Sequence, residues 1–405
     1  MSQESINDPI KDPRTDSIVI VGMARTPMGG FMGDLSSVKT TELGSAAIKA
    51  AVENSGVASD DVEEVIMGCV LPAALGQAPA RQAALGADLP LSTSCTTINK
   101  VCGSGMKSIM LANDLLTAGT NSVMVAGGME SMSNAPHMLP KARSGYRFGH
   151  GKLLDHMAFD GLEDAYEGLA MGVFAEECAD RYQFTREQQD AFAISSLAKS
   201  KQAIEDGSFD SEVTPVVIKT RKGEITVEHD EQPLKARPDK IPALRPAFKK
   251  DGTITAANAS SISDGAAAVV LMRQSDAEKR NLQPLAKIIA HTTHARKPSE
   301  FTIAPVTAIK NLLEKVEWSV DDVDLFEINE AFAVVTMAAI KDLELDEAKV
   351  NIHGGACALG HPIGTSGTRI VVTLIAALKK YGKTKGVASL CIGGGEATAM
   401  AIEVI

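Results

Sequence analysis

Aromatic side chains are scarce in this chain, at 4% of its 405 residues. A core with few rings must be closed by aliphatic and small side chains, and plentiful alanine and glycine let helices and sheets approach closely. No long run of lysine and arginine occurs and the formal charge is −11, so a nucleic-acid partner is not expected. The apolar stretch Ile370–Leu378 is too short to span a bilayer, so no membrane partner is expected. The start, Met1-Ser-Gln-Glu-Ser-Ile-Asn-Asp, is polar and acidic and lacks both a signal-peptide core and an Arg-rich transit pattern. None of the cysteines (Cys69, Cys95, Cys102, Cys178, Cys357, Cys391) forms a Cys-x-x-Cys pair. Reduced thiols in a cytoplasmic protein are therefore expected, not a disulfide framework. Gly103-Ser-Gly105 lacks the third glycine of a dinucleotide fingerprint, and no Walker motif is present. His291 and His294 have a spacing that would suit a metal, but no carboxylate or thiol lies beside them; neither a metal nor a bound cofactor is expected.

What is present is enough apolar residue, 44% against 22% charged, for a sizeable core in two or three domains or one large double unit. The chain contains an internal repeat. A shift of 261 positions places Ala47-Ile-Lys49 on Ala308-Ile-Lys310, Asp60-Asp-Val62 on Asp321-Asp-Val323 and Gly103 on Gly364. Each copy reads as a helix, a strand (Val62–Met67 or Val323–Ile328), a second helix (Met106–Leu116 or Thr368–Lys379) and a buried-type strand (Ser122–Ala126 or Gly386–Ile392). Gly127-Gly-Met-Glu130 is read as closing the first of these last strands, and Gly393-Gly-Gly-Glu396 the second. The fold class expected is α/β, two repeated mixed-sheet units about a pseudo-dyad, covering 1–131 plus 263–284 and 285–405.

Residues 132–262 break the pattern and read as an inserted loop domain, with a helix at Arg186–Glu205 and an irregular, proline-rich run Glu228–Phe248. Such insertions often cover active sites. Lys235, Arg237, Lys240, Arg245, Lys249 and Lys250 make it locally basic, either as a rim for an anionic ligand or as a solvated loop.

Three positions carry the chemistry. Cys102, in Asn99-Lys-Val-Cys102-Gly-Ser-Gly-Met, stands where a helix dipole and free N–H groups favour a thiolate. A buried structural cysteine is the plainer reading, but Gly-Ser-Gly is a poor way to begin a helix unless something must approach it. His361, between Gly360 and Pro362, is a candidate base for that thiol, or a surface turn histidine. Cys391 ends a strand before three glycines, where Gly393 can present its N–H to an oxyanion; its plainer reading is a small core hydrophobe. Asn329, after the strand Val323–Ile328, can orient a water or a carbonyl, or simply cap a helix. His353, His150 and His156 read as turn or loop residues.

Together these motifs resemble the thiolase family along nearly the whole chain. The blocks Ile98-Asn-Lys-Val-Cys102-Gly-Ser-Gly-Met, Asn258-Ala-Ser260, Asn329-Glu-Ala-Phe332, Gly360-His361-Pro-Ile-Gly and Cys391-Ile-Gly393-Gly-Gly stand in family order. The resemblance implies a dimer or dimer of dimers that takes acyl-CoA and CoA as substrates. It implies reversible condensation of two acetyl-CoA into acetoacetyl-CoA through an acyl-cysteine. Cys102 would accept the acyl group, His361 would deprotonate it, and Cys391 would move the α-carbon proton. Asn329 would hold a water that binds the enolate oxygen with His361. The N–H groups of Cys102 and Gly393 would hold the tetrahedral oxyanion. The pantetheine arm would pass Met171 and Ser260, with Ala331 and Phe332 alongside.

Two positions depart from the pattern. Cys357 stands where an aliphatic residue is more usual, which puts a third thiol near the site. Ala170 stands where many short-chain biosynthetic members have histidine, which leaves a broader-chain degradative 3-ketoacyl-CoA thiolase as the alternative. A β-ketoacyl synthase would have no use for Cys391, and a non-catalytic acyl-CoA-binding relative would have no need of the full catalytic set.

Overall fold

The computed structural model describes residues 16–405; the polar start read above lies outside them. The strands that position the site are β1 (Ile18–Arg25), β2 (Glu64–Gly68), β3 (Ser94–Ile98), β4 (Val123–Ser131), β5 (Ser263–Arg273), β6 (Ala286–Ala295), β7 (Leu325–Ile328), β8 (Lys385–Ile392) and β9 (Glu396–Val404). The longer helices are α1 (Thr40–Ser55), α2 (Pro79–Gly86), α3 (Ser104–Thr117), α4 (Met171–Tyr182), α5 (Arg186–Glu205), α6 (Ala304–Val316), α7 (Ala333–Leu343) and α8 (Ser366–Lys380). No described helix is long and apolar enough to cross a membrane.

The strands form one mixed sheet in the order β7-β8-β9-β6-β1-β5-β4-β2-β3. Its two halves repeat one topology. In the first, β2 pairs parallel with β4, β4 antiparallel with β5, and β5 antiparallel with β1. In the second, β7 pairs parallel with β8, β8 antiparallel with β9, and β9 antiparallel with β6. The halves meet at β1 and β6 through Val19–Lys287 and Ile20–Ala286. Even β3 has a counterpart, the single parallel bridge of Val350 to Phe326.

Residue alternation explains the layers. Val125 on β4 faces outward to α1 and α2, into a cluster with Leu43, Ile48 and Ala83. Its neighbours Met124 and Ala126 face inward, into a cluster that joins α3 (Met106, Ile109) to α8 (Ile370, Leu374). On β8, Ala388 and Leu390 join the same inner cluster while Val387 packs outward on α6 and α7. The result is five layers, helix-sheet-helix-sheet-helix, with α3 and α8 as the shared middle. They cross closely: a Cβ on Gly105 would lie 2.7 Å from Thr368 Oγ1, and one on Gly367 2.3 Å from the Met106 nitrogen.

β4 runs through Ser131, so Gly127-Gly-Met-Glu130 lies inside the strand instead of closing it. These glycines answer to long-range packing. A Cβ on Gly128 would lie 2.1 Å from the carbonyl oxygen of Gly364, the loop that leads into α8. The repeat also locates the insertion. Where β8 turns directly into β9 through Gly393–Gly395, the equivalent β4-to-β5 connection carries everything from 132 to 262. The insertion therefore leaves from the end of β4, where the Glu130 carboxylate accepts from the Gly364 nitrogen of the His361 loop.

Candidate active site

Cys102 lies in the turn between β3 and α3, partly open to a cavity. Val101 before it has φ of 46°, a left-handed conformation that is strained for a β-branched residue by about 1–3 kcal/mol. Local hydrogen bonds hold the turn: Asn99 Oδ1 accepts from the Val101 nitrogen at 2.8 Å, and the Ser104 hydroxyl donates to the Val101 carbonyl at 2.7 Å. The Lys100 ammonium pairs with Glu396, which follows the Gly393–Gly395 turn, and so ties the two halves' turns together.

His361 precedes α8 on the matching turn of the second unit. Its Nδ1 lies 2.5 Å from the Ser366 hydroxyl, which itself donates to the Pro362 carbonyl at 3.1 Å. When that hydroxyl proton goes to the Pro362 carbonyl, Nδ1 is the donor to Ser366 and Nε2 is the lone-pair nitrogen, the tautomer a base at Nε2 requires. Nε2 is buried without a protein partner. Burial, and then the charge of Arg369, lower the His361 pKa to about 3. The imidazole is therefore neutral at ordinary pH, as a proton acceptor must be.

Cys102, His361, Cys391 and Gly393 line one cavity of about 550 Å³. Burial raises the Cys102 thiol to about 11, while the N–H groups of Gly393 and of Cys102 itself face the sulfur and pull it back. Burial also raises Cys391 well above the ordinary thiol value, and the neighbouring Cys102 adds to this. A resting thiol pair, not a thiolate, occupies the site.

The remaining expected residues are brought in from three directions. Met171 opens α4, and Ser260 donates to the Ala331 carbonyl at 2.9 Å; with Ala331 and Phe332 they line the same cavity. Phe248 of the insertion and Phe301 of the second unit pack edge-on against Phe332, at centroid distances of 6.1 and 6.3 Å. Ala170 lines the cavity too, so no imidazole projects there. Asn329 does not line this cavity; it is fully buried just beyond β7, with its Nδ2 unpartnered. Cys357 does not line this cavity. It lines a neighbouring one of about 260 Å³ with Arg237 and Lys240, and its sulfur lies 3.6 Å from the Asn258 and Glu330 carbonyls. Of the basic loop residues, Lys235 pairs with Asp34 and Glu231, and Lys249 with Asp180.

Sequence reasoning missed several residues. His156, read as a loop residue, is buried beside Asp160 at 2.6 Å. Glu130 is fully buried, and its carboxylate accepts from the Val70, Leu71 and Gly364 nitrogens at 2.9, 3.1 and 2.9 Å. It thereby fastens the loop after β2 to the His361 loop. Burial raises its pKa to about 7 against those N–H contacts. Ser366 and Arg369 were available in Gly364-Thr-Ser-Gly-Thr-Arg369 as polar residues at the start of an otherwise apolar helix.

Comparison with known proteins agrees along the whole chain. The family described as thiolase, N-terminal domain, matches residues 18–275, and thiolase, C-terminal domain, matches 282–404. A probable acetyl-CoA acetyltransferase of Dictyostelium discoideum is 49% identical over 96% of this chain and 94% of that protein. An acetyl-CoA acetyltransferase of Cupriavidus necator is also 49% identical, over 95% of this chain and 99% of its own. Among solved structures, the acetyl-CoA acetyltransferase of Bacillus anthracis superposes with a TM-score of 0.94 at 42% identity, covering 96% of this chain and 99% of that one. A thiolase of Ascaris suum in complex with coenzyme A gives 0.91 at 44% identity, covering 96% and 100%.

Proposed function

The chain belongs to the thiolase family, and from that premise we propose that it condenses two acetyl-CoA into acetoacetyl-CoA and CoA, and runs the reverse thiolysis, through an acyl group on Cys102. One observation carries the assignment of roles. Cys102, Cys391, Gly393 and His361 line one cavity, and the buried Nε2 of His361 there has no protein partner.

In the first half-reaction His361 Nε2 takes the Cys102 proton as the sulfur attacks the thioester carbonyl. The oxyanion forms where the N–H groups of Cys102 and Gly393 point. On collapse the CoA sulfur leaves with the proton of Cys391. The enzyme is then left with acyl-Cys102, a charged His361 and a Cys391 thiolate. A thiol too buried to ionise by itself thus becomes a base because the leaving group takes its proton. In the second half-reaction Cys391 takes the α-proton of the next acetyl-CoA. Charged His361, and Asn329 through a water, hold the enolate oxygen. The α-carbon attacks the acyl carbonyl, and collapse expels Cys102, which recovers its proton from His361. Every proton returns, and ping-pong kinetics follow. CoA and acyl-CoA are the only partners this chemistry needs, and no cofactor is invoked.

Cys102→Ala should abolish the acetyl adduct seen by intact-mass analysis after mixing with acetyl-CoA. Cys391→Ala should still form some adduct but lose condensation. An adduct in Cys102→Ala would refute the nucleophile assignment, and normal condensation in Cys391→Ala would refute the base. With Ala170 at the cavity wall, a 3-ketoacyl-CoA chain-length series tests the acetyl preference. A maximum at acetoacetyl-CoA supports it, while equal or faster cleavage of longer chains favours a broad degradative enzyme. We place the protein in the cytoplasm as a dimer or dimer of dimers. The exposed Leu91 beside edge strand β3, and Phe148 and Tyr166 of the insertion, offer apolar surface for such contacts. A monomer by light scattering would reject that assembly.

A further inference from the structure

Arg369 is 1% exposed, on the first turn of α8, the same turn whose Ser366 holds His361. Its guanidinium reaches the end of β7. Nη1 donates to Glu327 Oε2 at 3.3 Å, and Nη2 donates to Asn329 Oδ1 at 3.4 Å. The mechanism above uses Asn329 but assigns nothing to Arg369 or Glu327.

An asparagine amide has nearly the same shape in either orientation, and only hydrogen bonding decides which end points where. Arginine has donors and no acceptor, so it selects Oδ1 and turns Nδ2 away from itself. That Nδ2 is the buried atom without a protein partner. The end left free is thus a donor: a water held by Nδ2 keeps both its hydrogens for the enolate oxygen and its surroundings, whereas a flipped amide would take one of them. The backbone is fixed independently. Asn351 Oδ1 accepts from the Ile328 nitrogen, and its Nδ2 donates to the Ile328 carbonyl, both at 2.8 Å. Backbone and rotamer are therefore held by different residues. Glu327 is 2% exposed and accepts from the same guanidinium; burial raises its pKa to about 8 although Arg369 opposes this, so the contact holds the fork as a hydrogen bond.

We propose that Arg369 is a positioning residue of the condensation step: held by Glu327, it donates to Asn329 Oδ1 and fixes the amide with Nδ2 free for the water that binds the enolate oxygen. This rests on the reading of the site given above. It predicts a division between the half-reactions, because acylation of Cys102 does not use Asn329.

The test is a cycle of Arg369→Lys, Asn329→Ala and the double variant, each assayed for acyl-enzyme formation and for steady-state condensation. Lysine keeps the charge and loses the fork. Arg369→Lys should acylate within about threefold of the parent, and lose about 10–100-fold in condensation kcat with little change in KM. In the Asn329→Ala background the same change should alter the residual condensation rate by less than about twofold, because the amide it orients is gone. An equal loss in both backgrounds, or an equal loss in both half-reactions, overturns the proposal. If Arg369→Lys does not fold, Glu327→Gln takes its place, with a smaller condensation loss that must likewise vanish in Asn329→Ala. The underlying reading fails differently: the parent protein would form no acyl-enzyme, or Asn329→Ala would condense normally, and the latter would overturn this proposal as well.

Discussion

At the scale of single residues, burial sets the chemistry more than charge does. His361 stays neutral because desolvation disfavours its cation and Arg369 adds to that, placing its pKa at about 3 instead of 6.5. The unfolded chain therefore takes up a proton near pH 6.5 that the folded chain refuses until about 3. The stability this contributes is complete above the unfolded value and is lost as pH falls through that window. Glu130 works in the opposite sense. Its folded pKa, about 7 against 4.5, makes the folded chain the better proton binder there, so its contribution is complete at low pH and lost as pH rises through about 7. For activity, the single-turnover acylation rate should change by less than about threefold between pH 5.5 and 7.5, since the base is already neutral throughout. An inflection near 6.5 that persists in Glu130→Gln would mean that the imidazole is solvated and that its pKa is not depressed; one that vanishes there would belong to Glu130. Cysteine and histidine identities, and the glycines beside them, were legible in the sequence because these turns break local rules. Arg369, Glu327 and Glu130 were not, since a charged residue gives no local sign that it is buried.

At the scale of elements, the strongest constraint is the crossing of α3 and α8. α3 follows the turn that carries Cys102 and α8 the turn that carries His361, so their separation sets how far the two residues stand apart. Gly105 and Gly367 sit at the crossing, where an added Cβ would meet the Thr368 nitrogen at 2.8 Å and the Met106 nitrogen at 2.3 Å. Backbone atoms cannot swing aside as side-chain tips can. Gly105→Ala and Gly367→Ala should each cost about 1–3 kcal/mol of stability and slow acylation, because the helices must part. Thermal denaturation with burst kinetics checks both. Full stability with parental acylation in either variant would show that the crossing is looser than described. Helix α5 was read with its observed bounds, Arg186–Glu205, because its start is written locally: the Thr185 hydroxyl accepts from the Gln188 nitrogen, and the Gln188 side chain returns the bond. β4 was read too short because its glycines look like a stop. They are small for a distant reason, the Gly364 carbonyl against Gly128, and no window of local sequence contains both.

At the scale of the whole molecule, the two units differ mainly in what joins their last two strands. The repeat was visible in sequence, and so was the break at 132–262, but not that a three-glycine turn and a whole inserted domain are the same connection. Met132, Leu162, Met171 and Phe248 of the insertion line the cavity that holds Cys102, and a separate buried network fastens the insertion there. Arg25, at the end of β1 and fully buried, makes a bidentate pair with Asp230 at 2.7 and 2.9 Å and a second pair with Glu212. Phe209 stacks on its guanidinium at 4.8 Å, and Thr373 of α8 donates to Glu212 at 3.0 Å. Both carboxylates belong to the insertion, so one strand end and the central helix anchor the segment 209–230. Arg25→Met would leave two buried acids without their cation, a loss of about 3–5 kcal/mol. The cost should fall on the insertion first, because the sheet keeps its own pairing. Limited proteolysis should then cut within 206–230 before the repeats are touched, and KM for acyl-CoA should rise as Phe248 and Met171 lose their support. The exposed Lys49–Asp88 pair is the control, and its loss should leave the cleavage pattern unchanged. If Arg25→Met instead resists proteolysis like the parent, with KM unaltered, the insertion is held by its apolar contacts and the buried network does not anchor it.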